Sequence, residues 1–380
     1  MQRDIFTDEH DAFREVVAGF LDREVVPHHE QWEQDGIVPR EVWTAAGKIG
    51  LFGFEVPEIY GGGGTRDFRF NAIVTEEISS RNLSGLGFSL QNDVVTPYLV
   101  SLTNDEQKQR WLPGLCSGEL ITAIAMTEPG TGSDLQAIRT SAVRDGGDWV
   151  LNGQKTFITN GINADLVIVV ARTNAGAGSR GLSLLVVERD MWGFERGRNL
   201  DKIGMHGQDT AELSFTDVRI PAANLLGEQD RGFFHLMRNL PAERLSIAII
   251  AVTGARAAVN QTIRYVKDRR AFGSSIANFQ NTKFVLAECA TEVEMAQTFI
   301  DRAILLLNEQ KLSATDAAMA KWWCSEMQNR VVARCLQLHG GYGYMNEYPI
   351  AKAYADARVT TIYGGTTEIM KEIVGRSLLE

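Results

Sequence analysis

The chain reads as a mixed α and β protein, mainly α, and three observations predict it. Apolar residues recur near every 3.6 positions over roughly the first 110 residues, shift to alternation between Glu119 and Pro221, and return to 3.6 in three long runs thereafter. The expected layout is an N-terminal helical domain over 1–118, a middle antiparallel β-domain over 119–225, and a C-terminal helical bundle over 226–380.

Taken in order, Phe13, Val16, Val17, Phe20 and Leu21 form one apolar helix face that Pro27 ends, and further helical patterns cover Glu41–Ile49, Asn71–Ser80, Gly87–Ser101 and Asp105–Trp111. GGGGT at 61–65 lacks the GK[ST] ending of a phosphate loop and reads as a turn. β-rich runs follow at Thr140–Arg144, Trp149–Phe157, Leu166–Ala171, Leu182–Val187 and Ala211–Val218, punctuated by DGGD at 145–148. Three helices rich in Ala, Leu and Ile, at Gly232–Arg269, Gln280–Asn308 and Ser313–Leu338, with short links, predict a bundle.

With 380 residues and 44% hydrophobic content, the chain can bury a large core. A net charge of −10 argues against a sequence-independent grip on nucleic acid and against a polybasic membrane anchor. Four cysteines form no CxxC and six histidines no HExxH, so no metal site is expected and the thiols read as reduced. No apolar window reaches 18 residues, and the first turns are acidic, without a signal core or transit pattern; a cytoplasmic protein with no membrane span is expected.

Several segments carry chemistry. AIAMTEPGTGSDL (123–135) runs from a short apolar strand into small hydroxyls and glycines that let backbone approach a ligand, and QKTFITNG (154–161) sets Phe157 between Thr156 and Thr159, where a flat ring can lie. Both also read simply as strand, turn and strand. KDRRAFGSSIANFQNTK (267–283) offers Arg269 and Arg270 to a pyrophosphate, or merely ends a helix with basic charge. QLHGGYGY (337–344) frees backbone N–H groups beside glycines, or merely stops a helix. YGGTTEIMKEI (363–373) pairs a Gly-Gly turn with a helix that Thr366 caps. In NLPAERLSIAII (239–250), Pro241 suits a first helical position, which sets Glu243 in the first turn of a long apolar helix; the bland reading is an ordinary helix-start carboxylate. Arg244 points about 100° away from it, so a direct ion pair is not expected.

Assembled in this order, these motifs resemble the acyl-CoA dehydrogenase family along essentially the whole chain, most closely its long-chain branch, through PAERL, EYPIAKAYADARV (347–359) and YGGTTEIMKEI. The resemblance implies a four-helix C-terminal domain, a homotetramer, and FAD bound across a subunit interface. It places Ala125, Met126, Thr127, Ser133, Phe157, Ile158 and Thr159 at the cofactor, with Thr127 and Thr159 bonding the isoalloxazine edge and Phe157 against its ring, and Ser133 also near the pantetheine or phosphate end of the thioester. Arg270, Phe272 and Gln280 of one subunit are expected to meet the FAD held by another, with Gln337, Gly340, Gly341, Thr366 and Glu368 completing that site. His206 and Gln208 receive no role.

Many relatives carry the catalytic glutamate directly after the tyrosine of the C-terminal motif, where this chain has Gly364; in the long-chain and isovaleryl branches it sits where Glu243 stands. The resemblance therefore assigns Glu243 as the base that removes the α-proton of an acyl-CoA, with flavin N5 taking the β-hydrogen as hydride and the Gly364 N–H and a ribityl hydroxyl supporting the thioester carbonyl. Burial beside an acyl chain is expected to raise the Glu243 pKa against the pull of the helix dipole. Arg244 is expected to support the CoA moiety and Phe234 to line the substrate channel. The implied electron acceptor is electron-transfer flavoprotein. Rival readings are a carrier-protein acyl thioester as substrate and a catalytically silent flavin-binding scaffold of the same fold.

Overall fold

The computed structural model describes residues 3–380. Six helices come first: α1 (Asp8–Phe20), α2 (His29–Asp35), α3 (Arg40–Lys48), α4 (Phe68–Ser80), α5 (Thr96–Leu102) and α6 (Asp105–Ser117). Asn104 caps α6 by accepting from the Gln107 N–H, and Gln107 returns the bond to the Asn104 N–H. The aromatic residues of this region pack edge-on and stacked, with Trp43, Phe52 and Phe88 rings 4.9–5.5 Å apart.

Strands β1 (Thr122–Ala125), β2 (Ser141–Asp145), β3 (Asp148–Thr159), β4 (Leu166–Arg172), β5 (Leu182–Glu188), β6 (Phe194–Asn199), β7 (Thr210–Pro221) and β8 (Leu225–Leu226) form one sheet in the order β6-β7-β3-β2-β4-β5-β8, with β1 on β4. Neighbours run antiparallel except that β1 lies parallel to β4, with Ala125 opposite Val169, and β2 touches β4 at one parallel bridge. β4 and β5 are buried almost end to end, because helices α5 and α6 cover one face and the other packs around Trp149, Leu151 and Phe215. These two strands are therefore continuous apolar runs, without the alternation of a half-solvated sheet.

The third region holds α7 (Gly232–Asp268), α8 (Gln280–Asn308), α9 (Ala314–His339), α10 (Pro349–Ala357) and α11 (Thr367–Leu379). Leu245, Ala248 and Val252 of α7 pack with Ile300 of α8 and Met327 and Val331 of α9 in an apolar core. Between α7 and α8 the chain makes a small hairpin, β9 (Arg270–Ala271) with β10 (Ser274–Ser275). Thr366 caps α11 as expected, accepting from the Ile369 N–H.

One expectation fails here. Pro241 does not begin a helix: α7 starts at Gly232 and carries Pro241 in its interior. Glu243 therefore lies well inside the helix, beyond the reach of the N-terminal dipole, which acts over the first turn only. Residues 232–240 continue the helical ladder because Leu236 and Gly232 dock on the sheet: a Cβ at Gly232 would stand 2.9 Å from the Leu182 carbonyl oxygen.

Candidate functional site

Glu243 is buried, and burial raises its pKa to about 7. Two influences oppose that rise. The Tyr98 hydroxyl donates a 2.9 Å hydrogen bond to Glu243 Oε1, and the Arg244 charge lies nearby. Arg244 is buried as well and its Nε has no hydrogen-bond partner; as expected it makes no direct ion pair with Glu243 among the described residues.

Gly364 belongs to the same neighbourhood. Its φ is +63°, and an added Cβ would run into Cδ1 of Ile247, one helical turn beyond Glu243. The turn is gripped from α9 at two points: Lys321, fully buried, donates from Nζ to the Gly365 carbonyl over 2.6 Å, and Glu326 accepts from the Thr367 hydroxyl at 2.7 Å. Burial, then the Arg244 charge, pushes Lys321 down to about 8. A carboxylate near neutrality, a backbone turn and two buried cations thus converge where α5, α7, α9 and the 363–366 turn meet.

The second group forms on the sheet. The Thr156 N–H bonds the Thr127 carbonyl at 3.0 Å, so the two motif segments run side by side. Lys155, fully buried, spans them, donating to the Met126 carbonyl at 2.9 Å and to Glu128 Oε1 at 3.0 Å. The register slips between Lys155 and Ile158, where Phe157 takes a φ of +60° and points its ring out of the protein, 67% exposed. A bulky side chain in the left-handed region is strained, and such strain concentrates where a ligand is met. Ala125 and Ile158 are buried in the sheet core, so only their main-chain groups can reach a ligand. Ser133 is exposed on an open loop, where added atoms at Gly130 and Gly132 would touch nothing.

The third group lies at the far end of the bundle. Gly340 and Gly341, where an added side-chain atom would meet no neighbour, border a recess of about 480 Å³ with Tyr265, Arg269, Ile276 and Tyr342. Gln337 is exposed one turn before it, on α9. Arg270, Phe272 and Gln280 are exposed on and beside the neighbouring hairpin, and Phe272, 97% exposed with a φ of +50°, has almost no cover from its own chain. Glu368 is exposed at the start of α11, beside the half-buried Thr366, and Phe234 is half-exposed in the first turn of α7. Open glycine backbone, an outward aromatic ring and guanidinium groups beside a recess fit a flat ring bearing phosphates, so the residues present fit FAD.

Tyr98, Lys321 and the Lys155–Glu128 pair escape the sequence reading. The first two come from segments remote in the chain and carry no motif; Lys155 and Glu128 sit within both motifs but reveal their pairing only when the strands close. Gln208 donates to Asn160 Oδ1 at 3.0 Å and so buttresses the end of β3. No group of three or more metal-ligating side chains occurs among the described residues, and no helix is long and apolar enough to cross a membrane.

Comparison with known proteins bears on this arrangement directly. Family models for the acyl-CoA dehydrogenase N-terminal, middle and C-terminal domains match residues 7–119, 123–218 and 230–379. The mitochondrial long-chain specific acyl-CoA dehydrogenase of Sus scrofa is 52% identical over 379 residues, covering 99% of this chain and 88% of that protein. The crystal structure of an acyl-CoA dehydrogenase from Geobacillus kaustophilus superposes with a TM-score of 0.97 at 50% identity, covering 99% of this chain and 100% of that one. A prolyl acyl carrier protein oxidase shares the fold at 27% identity, with a TM-score of 0.90 over 98% of this chain and 99% of its own. Helices, sheet and bundle in this order, matched in all three parts, place the chain in the acyl-CoA dehydrogenase family of FAD-dependent oxidoreductases.

Proposed function

We propose that the chain oxidises a long or branched fatty acyl-CoA to its trans-2-enoyl-CoA, with Glu243 as the α-proton base. The observation that carries this is a carboxylate buried without a contacting cation, raised to about 7, beside the Gly364 turn. A base with a pKa near the working pH combines ionised population with proton affinity. FAD, when bound, would supply the hydride acceptor for the β-hydrogen, with flavin N5 as the proposed accepting atom.

The chain's own residues do the rest. Glu243 takes the α-proton onto a carboxylate oxygen as the C–H pair moves into the forming double bond. The Gly364 N–H supports the thioester carbonyl as negative charge grows there, a contribution of roughly 2.7–4 kcal/mol for such a donor. Arg244 stabilises the ionised base from the same helix and supports the CoA moiety, while Phe234 lines the way in. Thr127, Thr159 and Phe157, with the backbone of Ala125, Met126 and Ile158, would hold the isoalloxazine of FAD, and Ser133 would meet the pantetheine end. Arg270, Phe272 and Gln280 reach the cofactor of a second copy in a homotetramer, where Gln337, Gly340, Gly341, Thr366 and Glu368 close on it. Electron-transfer flavoprotein receives the electrons. The domain division at 118/119 and 225/226 and a cytoplasmic location belong to the same reading, and limited proteolysis and cell fractionation test them.

Anaerobic titration of the flavin-loaded protein with acyl-CoAs of increasing length, followed at the visible flavin band, tests the central claim. Long chains should bleach the wild type and leave Glu243→Gln yellow. A bound flavin that no acyl-CoA bleaches would refute CoA thioesters as substrates and favour carrier-protein thioesters.

A further inference from the structure

The carboxylate proposed as base has a dedicated partner. Tyr98 on α5 precedes Glu243 by 145 residues, yet its fully buried hydroxyl donates to Oε1 at 2.9 Å. The Asn239 side chain also acts on the phenol, favouring its ionised form. Asn239 and Glu243 are four residues apart and so share one face of α7, the face that Tyr98 meets at Glu243. An amide N–H donating to the phenol oxygen leaves that oxygen's own proton directed at the carboxylate. Among the described residues no other hydrogen bond reaches the Glu243 carboxylate.

We infer that Tyr98 is a positioning residue for proton abstraction: oriented by Asn239, its hydroxyl anchors Glu243 Oε1 and leaves Oε2 as the oxygen that takes the α-proton. The inference rests on Glu243 being the base. The bond also ranks the two protonation states, because a donor favours the ionised carboxylate over the acid. The other charged groups around Glu243 are Arg244 on its own helix and Lys321 on α9 behind Arg244. Asp93, buried in the 90–95 turn, is held by Ser246 one turn along α7, with Glu55 behind it. Tyr98 supplies the hydrogen bond among these, so its removal is read at Glu243 without altering any other charge.

The test compares pH profiles of kcat/KM for wild type, Tyr98→Phe, Asn239→Ala and Glu243→Gln. In parallel, deuterium exchange at the α-carbon of a 3-thia-acyl-CoA, which has no β-hydrogen to lose, reads the base without oxidation. The acid limb of both profiles should rise by about one pH unit in Tyr98→Phe, a roughly tenfold loss below the limb, with little change well above it. Asn239→Ala should move it the same way by less. A limb that stays in place in Tyr98→Phe while Glu243→Gln neither oxidises nor exchanges overturns the role of Tyr98 and leaves the base intact. Exchange that persists in Glu243→Gln puts the base elsewhere, and both readings fall.

Discussion

Glu243 and Glu128 are both buried glutamates, and their surroundings drive them in opposite directions. Glu128 meets Lys155 Nζ at 3.0 Å and accepts from the backbone N–H groups of Arg139 and Thr140 at 2.8 and 2.9 Å, which outweigh its burial and hold it below the usual carboxylate range. Glu243 has one neutral hydroxyl in contact and rises to about 7. The first is a permanent anion that ties β1, β3 and the 127–140 loop together; the second can change its charge during a reaction. Burial alone does not make a base, and what decides is whether the pocket supplies enough donors to keep the charge fixed.

Substitutions sharpen the contrast. Glu243→Gln should cost about 10²–10⁴-fold or more in flavin reduction rate, measured by stopped-flow absorbance, while the fold and flavin content persist. Lys155→Met leaves Glu128 buried without its cation and should cost about 3–5 kcal/mol of stability in urea, with little direct effect on the base. The pH dependence separates the two acids. Between pH 4.5 and about 7 the folded protein keeps a proton on Glu243 that the unfolded chain releases, so this group's contribution to stability falls as pH rises through that window. Glu243→Gln should remove that slope and be more stable than wild type at pH 8 by up to about 3 kcal/mol. Glu128 has the opposite sign: its contribution is present above the ordinary carboxylate pKa and is lost as pH falls through its lowered value. Gly364→Ala, forced against Ile247 at positive φ, should cost about 1–3 kcal/mol and lower turnover; urea melts and kcat report the two effects. Phe157→Asn, exposed and already left-handed, should change the stability of the flavin-free protein by less than about 0.5 kcal/mol while weakening flavin retention, measured by fluorescence titration, by roughly 0.5–1.5 kcal/mol.

Much of this molecule is legible in its sequence. The run Leu166–Ala171 lies within β4, and Gln280–Asn308 coincides with α8, because apolar period and turn residues agree there. β6, FERGRN, escapes such reading: it is held by backbone pairing to β7 and its side chains are mostly exposed. The hairpin at 270–275 escapes for the same reason, its strands being two residues each. Glu243 and Gly364 are visible as motif residues, and Ile247 shows why they matter to one another only once α7 and the 363–366 turn are packed. Tyr98 could not be read at all, since a contact across 145 residues leaves no local periodicity.

Pro241 has one further consequence. Lacking an N–H, it cannot bond the carbonyl four residues back, so the ladder of α7 is interrupted at Met237, between the part docked on the sheet and the part in the bundle core. Amide exchange would therefore register α7 as two segments: a fast-opening stretch before Pro241, carrying Phe234 and Asn239, and a slow one from Glu243 onward. The molecule's longest helix is continuous to the eye, yet its opening free energy should divide at Pro241, with the acid at the edge of the slower half.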